Sequence, residues 1–222
     1  MKAFTEEFTV YSHGFLQSFK TNSQNIIKDY NIKENNIIEH INFIVIGKAG
    51  TGKSTFINES LLLPEHKRAK VGDGLSVTEK SNLYCSEKLK MIRMWDTQGI
   101  DYKISQDYIL NEVKRLVNER LQKGPDYYIN IILYCTSGNR FQEEDGQIIH
   151  EIMKLYPMNN LPVIITQLQS YFTEDAKKME LVIRKILAKY LENQIVEKIQ
   201  IKSLVAKDKK VEDKIFKAKG IP

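Results

Sequence analysis

The stretch GKAGTGKSTF, Gly47 to Phe56, decides the fold of this chain. It follows the apolar run INFIVI at residues 41–46, and it places three glycines within six positions ahead of Lys53 and Ser54. The spacing G-x-x-x-x-G-K-S between a strand and a helix is typical of a phosphate-binding loop, in which backbone N–H groups and the positive end of the helix bind anionic oxygens. The residues predicted to line this loop are Ala49, Gly50, Thr51, Gly52, Lys53, Ser54 and Thr55.

Two side chains of the loop and a second motif predict a magnesium-bound polyphosphate. Lys53 can reach the β- and γ-phosphates as a point charge, and the Ser54 hydroxyl can occupy one position on Mg²⁺. The strand-like run at 89–95 ends in Asp96-Thr97-Gln98-Gly99. A carboxylate at such a strand end can hold the same Mg²⁺, and Gly99 allows a backbone N–H to approach the γ-phosphate. The alternative for Asp96 is a structural role as a helix cap.

The polar stretch between the two motifs, residues 61–80, is predicted to be a mobile loop. Its end, SVTEK at residues 76–80, precedes the next strand and should return to the metal. Thr78 is the predicted second hydroxyl ligand of Mg²⁺, and Ser76 is the alternative.

Short β-branched runs alternate with longer amphipathic segments from Ile41 onward, which predicts an α/β fold with a mostly parallel sheet covered on both faces. The predicted strands lie near 42–47, 81–86, 90–96, 128–135, 161–166 and 196–202. The predicted helices lie near 53–61, 105–123, 143–155, 174–193 and 208–219. Residues 1–40 are predicted to form an N-terminal helical extension, and residues 41–222 the P-loop domain.

The composition argues against several other classes of protein. The 222 residues include 33 basic and 28 acidic side chains, and the resulting +5 charge is scattered along the chain, so no nucleic-acid partner is predicted. Cys85 and Cys135 lie in apolar runs and are expected to be reduced core residues, which suggests a cytoplasmic location. No apolar run approaches the roughly 18 residues of a membrane span, and no signal sequence is recognisable.

The motifs GKAGTGKS, SVTEK and WDTQG resemble those of Ras-related GTPases. Together with GNRFQEEDGQIIHEI at residues 138–152, they resemble more narrowly the immunity-associated, avirulence-induced GTPases near septins and dynamins. The resemblance spans about residues 40–207. It implies a three-layer, small-GTPase-like P-loop NTPase core with six strands, GTP and GDP as substrate and product, Mg²⁺, slow hydrolysis, and assembly as a homodimer or oligomer through the nucleotide face. Members of this family often act at membrane surfaces.

The base-recognition motif departs from that family. After the strand PVIIT the family has Asn or Thr, then Lys, any residue and Asp, whereas this chain has Thr166-Gln167-Leu168-Gln169. An amide at Gln169 offers one acceptor and one donor, which also suits an adenine edge, so ATP is an alternative ligand. In the later motif SLVAK, the resemblance assigns base contacts to Ala206 and Lys207.

The catalytic residues also depart from the simplest pattern. Ile100 occupies the position at which many relatives carry a water-orienting Gln, so slow turnover is expected. Arg140 follows a predicted strand end and is a candidate to act across a dimer, while the alternative is an ion pair with Glu143, Glu144 or Asp145. The catalytic residues predicted in this way are Lys53, Thr78, Gly99 and Arg140. A non-hydrolysing nucleotide-binding scaffold is the alternative function.

The lysine-rich segment at 208–219 spaces Val211, Ile215 and Ala218 along one helical face. It is predicted to be the closing helix of the domain, with a basic surface helix on anionic lipid as the alternative.

Overall fold

The computed structural model describes residues 39–71, 81–87, 89–100, 106–137, 140–155, 163–168, 173–204, 209–211 and 214–216. The strands in these ranges are β1 Ile41–Gly47, β2 Asn82–Cys85, β3 Ile92–Asp96, β4 Ile129–Ser137, β5 Val163–Leu168, β6 Gln200–Leu204, β7 Lys209–Val211 and β8 Lys214–Phe216. The helices are α1 Lys53–Ser60, α2 Gln106–Leu121, α3 Glu143–Met153, α4 Thr173–Leu187 and α5 Asn193–Lys198.

Six strands form one sheet in the order β2-β3-β1-β4-β5-β6. Strand β2 pairs antiparallel with β3, and the other neighbours pair parallel. Parallel strands place their carboxyl ends at one edge, where ligands of open α/β sheets bind. The predicted α/β fold with a mostly parallel six-stranded sheet is confirmed.

The sheet is buried on both faces, which gives the molecule three layers. Alternate residues of β1 point to opposite sides, so Phe43 joins a core with Phe56 of α1, while Ile44 joins a core with Val113 of α2. Every residue of β1 and β4 is buried. These two central strands therefore give the loops at their carboxyl ends a rigid base.

The structure differs from the sequence-based prediction after α4. The helix predicted at 174–193 ends at Leu187, and the strand predicted at 196–202 begins only at Gln200, because a short helix, α5, occupies Asn193–Lys198. Isoleucine and valine run through both segments, and so short an apolar run fits either a strand or a helix.

The helix predicted at 208–219 is wrong. The chain instead forms the antiparallel pair β7 and β8, with Lys210 opposite Ile215 and Val211 opposite Lys214. Val211 and Ile215 stand four residues apart, as on a helix, but two β-branched residues among lysines also suit two short strands. The alternative, a basic surface helix, required a helix at this position, and the described residues form two strands there instead.

The two cysteines differ in their surroundings. Cys135 lies on central β4 and is buried, as predicted, but Cys85 is exposed because β2 is the edge strand of the sheet. The prediction of a core position for Cys85 is therefore wrong. The predicted helical extension at 1–40 lies almost wholly outside the described residues, and none of the described helices is long and apolar enough to cross a membrane.

Candidate functional site

The loop after β1 has backbone angles that require glycine. Gly47, Gly50 and Gly52 have φ angles of 148°, 71° and 94°, values that side chains rarely adopt. A Cβ on Gly47 would also lie 2.1 Å from the Cys135 carbonyl oxygen. The Thr51 N–H and hydroxyl donate to the Lys48 carbonyl at 3.3 and 2.8 Å and close the turn. The glycines predicted from the motif are therefore fixed by local geometry.

Lys53 places its ammonium inside this turn. Its Nζ lies 3.0 Å from the carbonyl oxygens of both Gly47 and Lys48, and the residue is only 7% exposed. Burial lowers the pKa of Lys53, and the negative charge of Asp96 offsets part of that effect. Within the described ranges, no carboxylate lies at ion-pair distance from this ammonium. The site therefore contains a buried cation that an anionic ligand would stabilise.

Ser54 and Asp96 meet although 42 residues separate them. The Ser54 hydroxyl donates to Asp96 Oδ2 at 2.9 Å, and the Thr97 hydroxyl fixes the end of β3 by donating to the Val45 carbonyl at 2.7 Å. A hydroxyl beside a buried carboxylate is a donor set that suits Mg²⁺. The described residues contain no group of three or more His, Cys, Asp or Glu side chains that could hold a metal. An ion here would therefore need phosphate or water oxygens as well.

The second motif is in direct contact with the phosphate loop. The Ala49 N–H donates to the Ile100 carbonyl at 2.8 Å, and the Ile100 N–H donates to the Gly47 carbonyl at 3.3 Å. A Cβ on Gly99 would lie 2.8 Å from Ala49 Cα and 2.9 Å from Lys53 Nζ, so only glycine fits. Ile100 is partly buried and packs against the larger core, where it offers no side-chain hydrogen bond.

Arg140 lies at the same edge of the sheet and is exposed. The ion pairs considered as its alternative role are not formed among the described residues. Asp145 pairs with Lys48 at 3.1 Å, and Glu143 pairs with Lys189. Two of the three candidate carboxylates are thus occupied by lysines, and the Arg140 side chain lies at the surface.

The base-recognition residues are only partly described. Thr166 is buried, and its hydroxyl lies 3.4 Å from the Tyr134 carbonyl. Strand β5 continues through Gln167 to Leu168. The remaining predicted residues, Gln169, Ala206, Lys207, Thr78 and the alternative Ser76, lie outside the described residues.

Sequence reasoning missed the role of Lys48. Its Nζ lies 2.7 Å from Gln142 Oε1 and 3.1 Å from the Arg140 carbonyl oxygen, in addition to its pair with Asp145. Ninety-four residues separate Lys48 from Gln142, so no local pattern could show the contact. The one available signal is Gln142-Glu-Glu-Asp145, whose spacing is that of a helix N-terminus with an acidic third residue.

Comparison with known proteins agrees with the geometry. A model of the family described as 50S ribosome-binding GTPase matches residues 42–200. No curated protein matches the chain. The septin GTPase domain from Chlamydomonas reinhardtii aligns with a TM-score of 0.53 and 17% identity, over 76% of this chain and 75% of that one. This likeness shows the fold alone. An NFeoB mutant from S. thermophilus bound to GMPPNP aligns with a TM-score of 0.46 and 16% sequence identity, over 75% of this chain and 55% of that one.

Proposed function

Because the chain belongs to the 50S ribosome-binding GTPase family, we propose that it is a guanine-nucleotide switch that binds GTP with Mg²⁺ and hydrolyses it slowly to GDP. One observation carries the proposal. The buried Lys53 ammonium and the Ser54 hydroxyl, both on the first turn of α1, lie at one edge of the sheet beside Asp96 at the end of β3, and the loop before α1 hydrogen-bonds directly to Ile100. This arrangement suits a triphosphate with its metal, and it links the γ-phosphate position to a segment able to respond.

Ser54 and Asp96 would hold the metal, with Thr78 as the predicted third ligand. Bound Mg²⁺ supplies positive charge that offsets the phosphate oxygens. The chain would supply the rest: Lys53 would bind phosphate oxygens, backbone N–H groups at Gly50, at Gly52 and in the first turn of α1 would orient them, and Gly99 leaves room for a close backbone approach.

Slow turnover follows from the chemistry at position 100. Ile100 can neither donate to nor accept from an attacking water, so the domain needs a further polar group. We assign that role to Arg140, supplied by a second copy of the chain across the nucleotide face. Its exposure and the absence of an ion pair to any described residue support this role.

The narrower affiliation also belongs to this proposal. The stretch at 138–152 and the motif WDTQG support a place near the immunity-associated GTPases. A cytoplasmic location, with attachment to a membrane surface in one nucleotide state, accompanies that affiliation.

Binding and turnover can be tested together. Trp95 is the single tryptophan of the chain and directly precedes Asp96, so we expect its fluorescence to change when a ligand binds at the end of β3. We expect saturable Mg²⁺-dependent binding of GTP and GDP, and phosphate release per subunit that rises with protein concentration. Binding without turnover at any concentration would instead support the non-hydrolysing scaffold, and no binding would reject the proposal.

The altered base motif gives a separate prediction. Restoring the carboxylate with Gln169→Asp should raise the preference for GTP over ATP by about 1.5–3 kcal/mol, because an aspartate accepts two guanine N–H groups at once. Competition of labelled GTP with ATP measures this preference, and Gln122→Asp, at an exposed position just after α2 and outside the base-recognition motif, is the matched control. Equal affinity of the native chain for ATP and GTP would favour the ATP-binding alternative.

A further inference from the structure

Lys48 has contacts on two sides of the phosphate-binding loop. Its carbonyl oxygen accepts the Lys53 ammonium at 3.0 Å and both hydrogen bonds from Thr51. Its own ammonium lies 3.1 Å from the Arg140 carbonyl oxygen, 2.7 Å from Gln142 Oε1 and 3.1 Å from Asp145 Oδ2. We call the ammonium and these three partners the Lys48 cluster. A single residue thus joins the phosphate loop to the segment that carries Arg140.

The far side of the Lys48 cluster is rigid. Asp145 is 1% exposed, its Oδ2 accepts the Gln142 N–H at 2.6 Å, and its Oδ1 accepts the Tyr134 hydroxyl. Burial raises the pKa of Tyr134, so its hydroxyl keeps the proton that it donates. Among the described residues, Lys48 is the cation that pairs with this buried carboxylate. Movement of Lys48 would therefore leave a buried charge without its counter-charge, and the segment should follow the loop.

We propose that Lys48 is a positioning residue that holds residues 140–145 against the phosphate loop and passes the state of that loop to Arg140. The inference rests on the proposed function. A bound phosphate competes for the Lys53 ammonium and so withdraws a hydrogen bond from the Lys48 carbonyl. The backbone of Lys48 then readjusts, and its side chain carries the change to the Arg140 backbone. The nucleotide state thereby sets the placement of Arg140 at the face that would meet a second subunit.

The test compares Lys48→Met with Lys189→Met. Lys189 pairs with Glu143 in the same first turn of α3, but it lies in the turn after α4 rather than in the phosphate loop. Hydrogen–deuterium exchange of peptides covering residues 140–147 is measured with and without a non-hydrolysable GTP analogue. Exchange should slow at least about threefold on loading in the native chain and in Lys189→Met, but not in Lys48→Met. In Lys48→Met the analogue should still bind within about threefold of native affinity, while kcat falls about tenfold.

Several results would overturn the proposal. A native-like exchange response in Lys48→Met would show that the segment follows nucleotide by another route. A loss of affinity as large as that of a Lys53 variant would place Lys48 in phosphate binding itself. If Lys48→Met does not fold, Asp145→Asn removes the charge that pairs with Lys48 without altering the loop, and a retained response in that variant also overturns the proposal.

If the native chain binds no nucleotide, the proposed function is rejected. The positioning role of Lys48 is then tested in the free protein. Exchange at 140–147 that is faster in Lys48→Met than in Lys189→Met supports it, and equal exchange rejects it.

Discussion

The amino ends and the carboxyl ends of the parallel strands form two opposite edges of the six-stranded sheet. Both edges contain a buried or half-buried charge, but the neighbouring groups compensate that charge differently. At the edge before β1 and β4, Asp126 accepts the N–H groups of Glu39 and His40 at 2.8 and 2.9 Å and contacts His40 Nδ1 and Arg93 at 2.8 and 3.3 Å. At the opposite edge, the Lys53 ammonium is buried against two carbonyl oxygens, and no described carboxylate lies at ion-pair distance.

The pKa shifts follow this difference. Burial acts to raise the pKa of Asp126, but hydrogen bonds from Glu39 and His40 outweigh it and leave the pKa below its ordinary value. Burial lowers the pKa of Lys53, and nearby negative charge does not restore it. The fold thus stabilises the charged form at one edge and disfavours it at the other. A charge left undercompensated in a well-ordered loop marks the edge at which a ligand of opposite sign binds.

Replacing Lys53 with Met gives the largest predicted effect. Nucleotide affinity should fall at least about 100-fold, roughly 2.7 kcal/mol, because the phosphates lose a buried charged partner. Stability should stay the same or rise, since the substitution removes a buried charge. The two carbonyls are not left without donors, because Gly47 still accepts from Ile100 and Lys48 from Thr51. Fluorescence titration and thermal unfolding measure the two quantities.

A matched control for that substitution is Lys185→Met on α4, an exposed lysine distant in sequence from the loop. This substitution should change neither the nucleotide affinity nor the thermal stability. A Lys53→Met protein that unfolds several degrees earlier would show that the ammonium is structural, and the contrast between the two edges would fail.

Replacing Asp126 with Ala should have the opposite effects to Lys53→Met: stability should fall and nucleotide affinity should stay the same. We expect a loss of about 1–2 kcal/mol of unfolding free energy at neutral pH, because Glu39 and His40 lose their acceptor, with nucleotide affinity unchanged. The lowered pKa means that the carboxylate contributes stability above its unfolded pKa of about 3.9, and that this contribution disappears as the pH falls through the folded value. The deficit of the variant should therefore shrink in acid.

Chemical denaturation from pH 7 to pH 3 checks this, with the exposed carboxylate variant Glu197→Ala as reference. A drop in nucleotide affinity in Asp126→Ala comparable to that of Lys53→Met would contradict the assignment of separate roles to the two edges.

The turn at the carboxyl end of β1 could be predicted from the sequence because its glycine positions are determined locally. Gly47, Gly50 and Gly52 each have a positive φ angle, and the three glycines that these angles require all lie within eight consecutive residues. The alternation of strands and helices likewise follows from local periodicity. That alternation was sufficient to predict a mostly parallel sheet covered by helices on both faces. Ser54 and Asp96 were each predicted as ligands of Mg²⁺, and the structure places the Ser54 hydroxyl against the Asp96 carboxylate.

Other features depend on which elements are neighbours in space. Cys85 was expected in the core, but the run that contains it forms the edge strand β2, a position that a single strand's pattern does not reveal. The Lys48 cluster joins residues more than ninety positions apart. The same limit applies to β7 and β8, where pairing between two three-residue segments outweighed a helical spacing of apolar residues.

The smallest predicted effect concerns alkaline pH. Because burial lowers the pKa of Lys53 in the free protein, this lysine should begin to lose its proton below the pH at which an exposed lysine does. Phosphate binds the ammonium form, so nucleotide affinity should begin to decline at a lower pH than the ionisation of an exposed lysine would cause, with uptake of a proton on binding over the range of that decline. Titrations at constant ionic strength measure the decline.

Lys53→Met provides the reference for that alkaline titration, since its profile contains only the ionisation of the nucleotide and of other groups. The difference between the two profiles isolates the ammonium at the carboxyl edge. If the native profile and the Lys53→Met profile run parallel, the ammonium stays fully charged throughout. The burial of Lys53 would then be compensated as completely as that of Asp126, and the two edges would not differ in the way proposed.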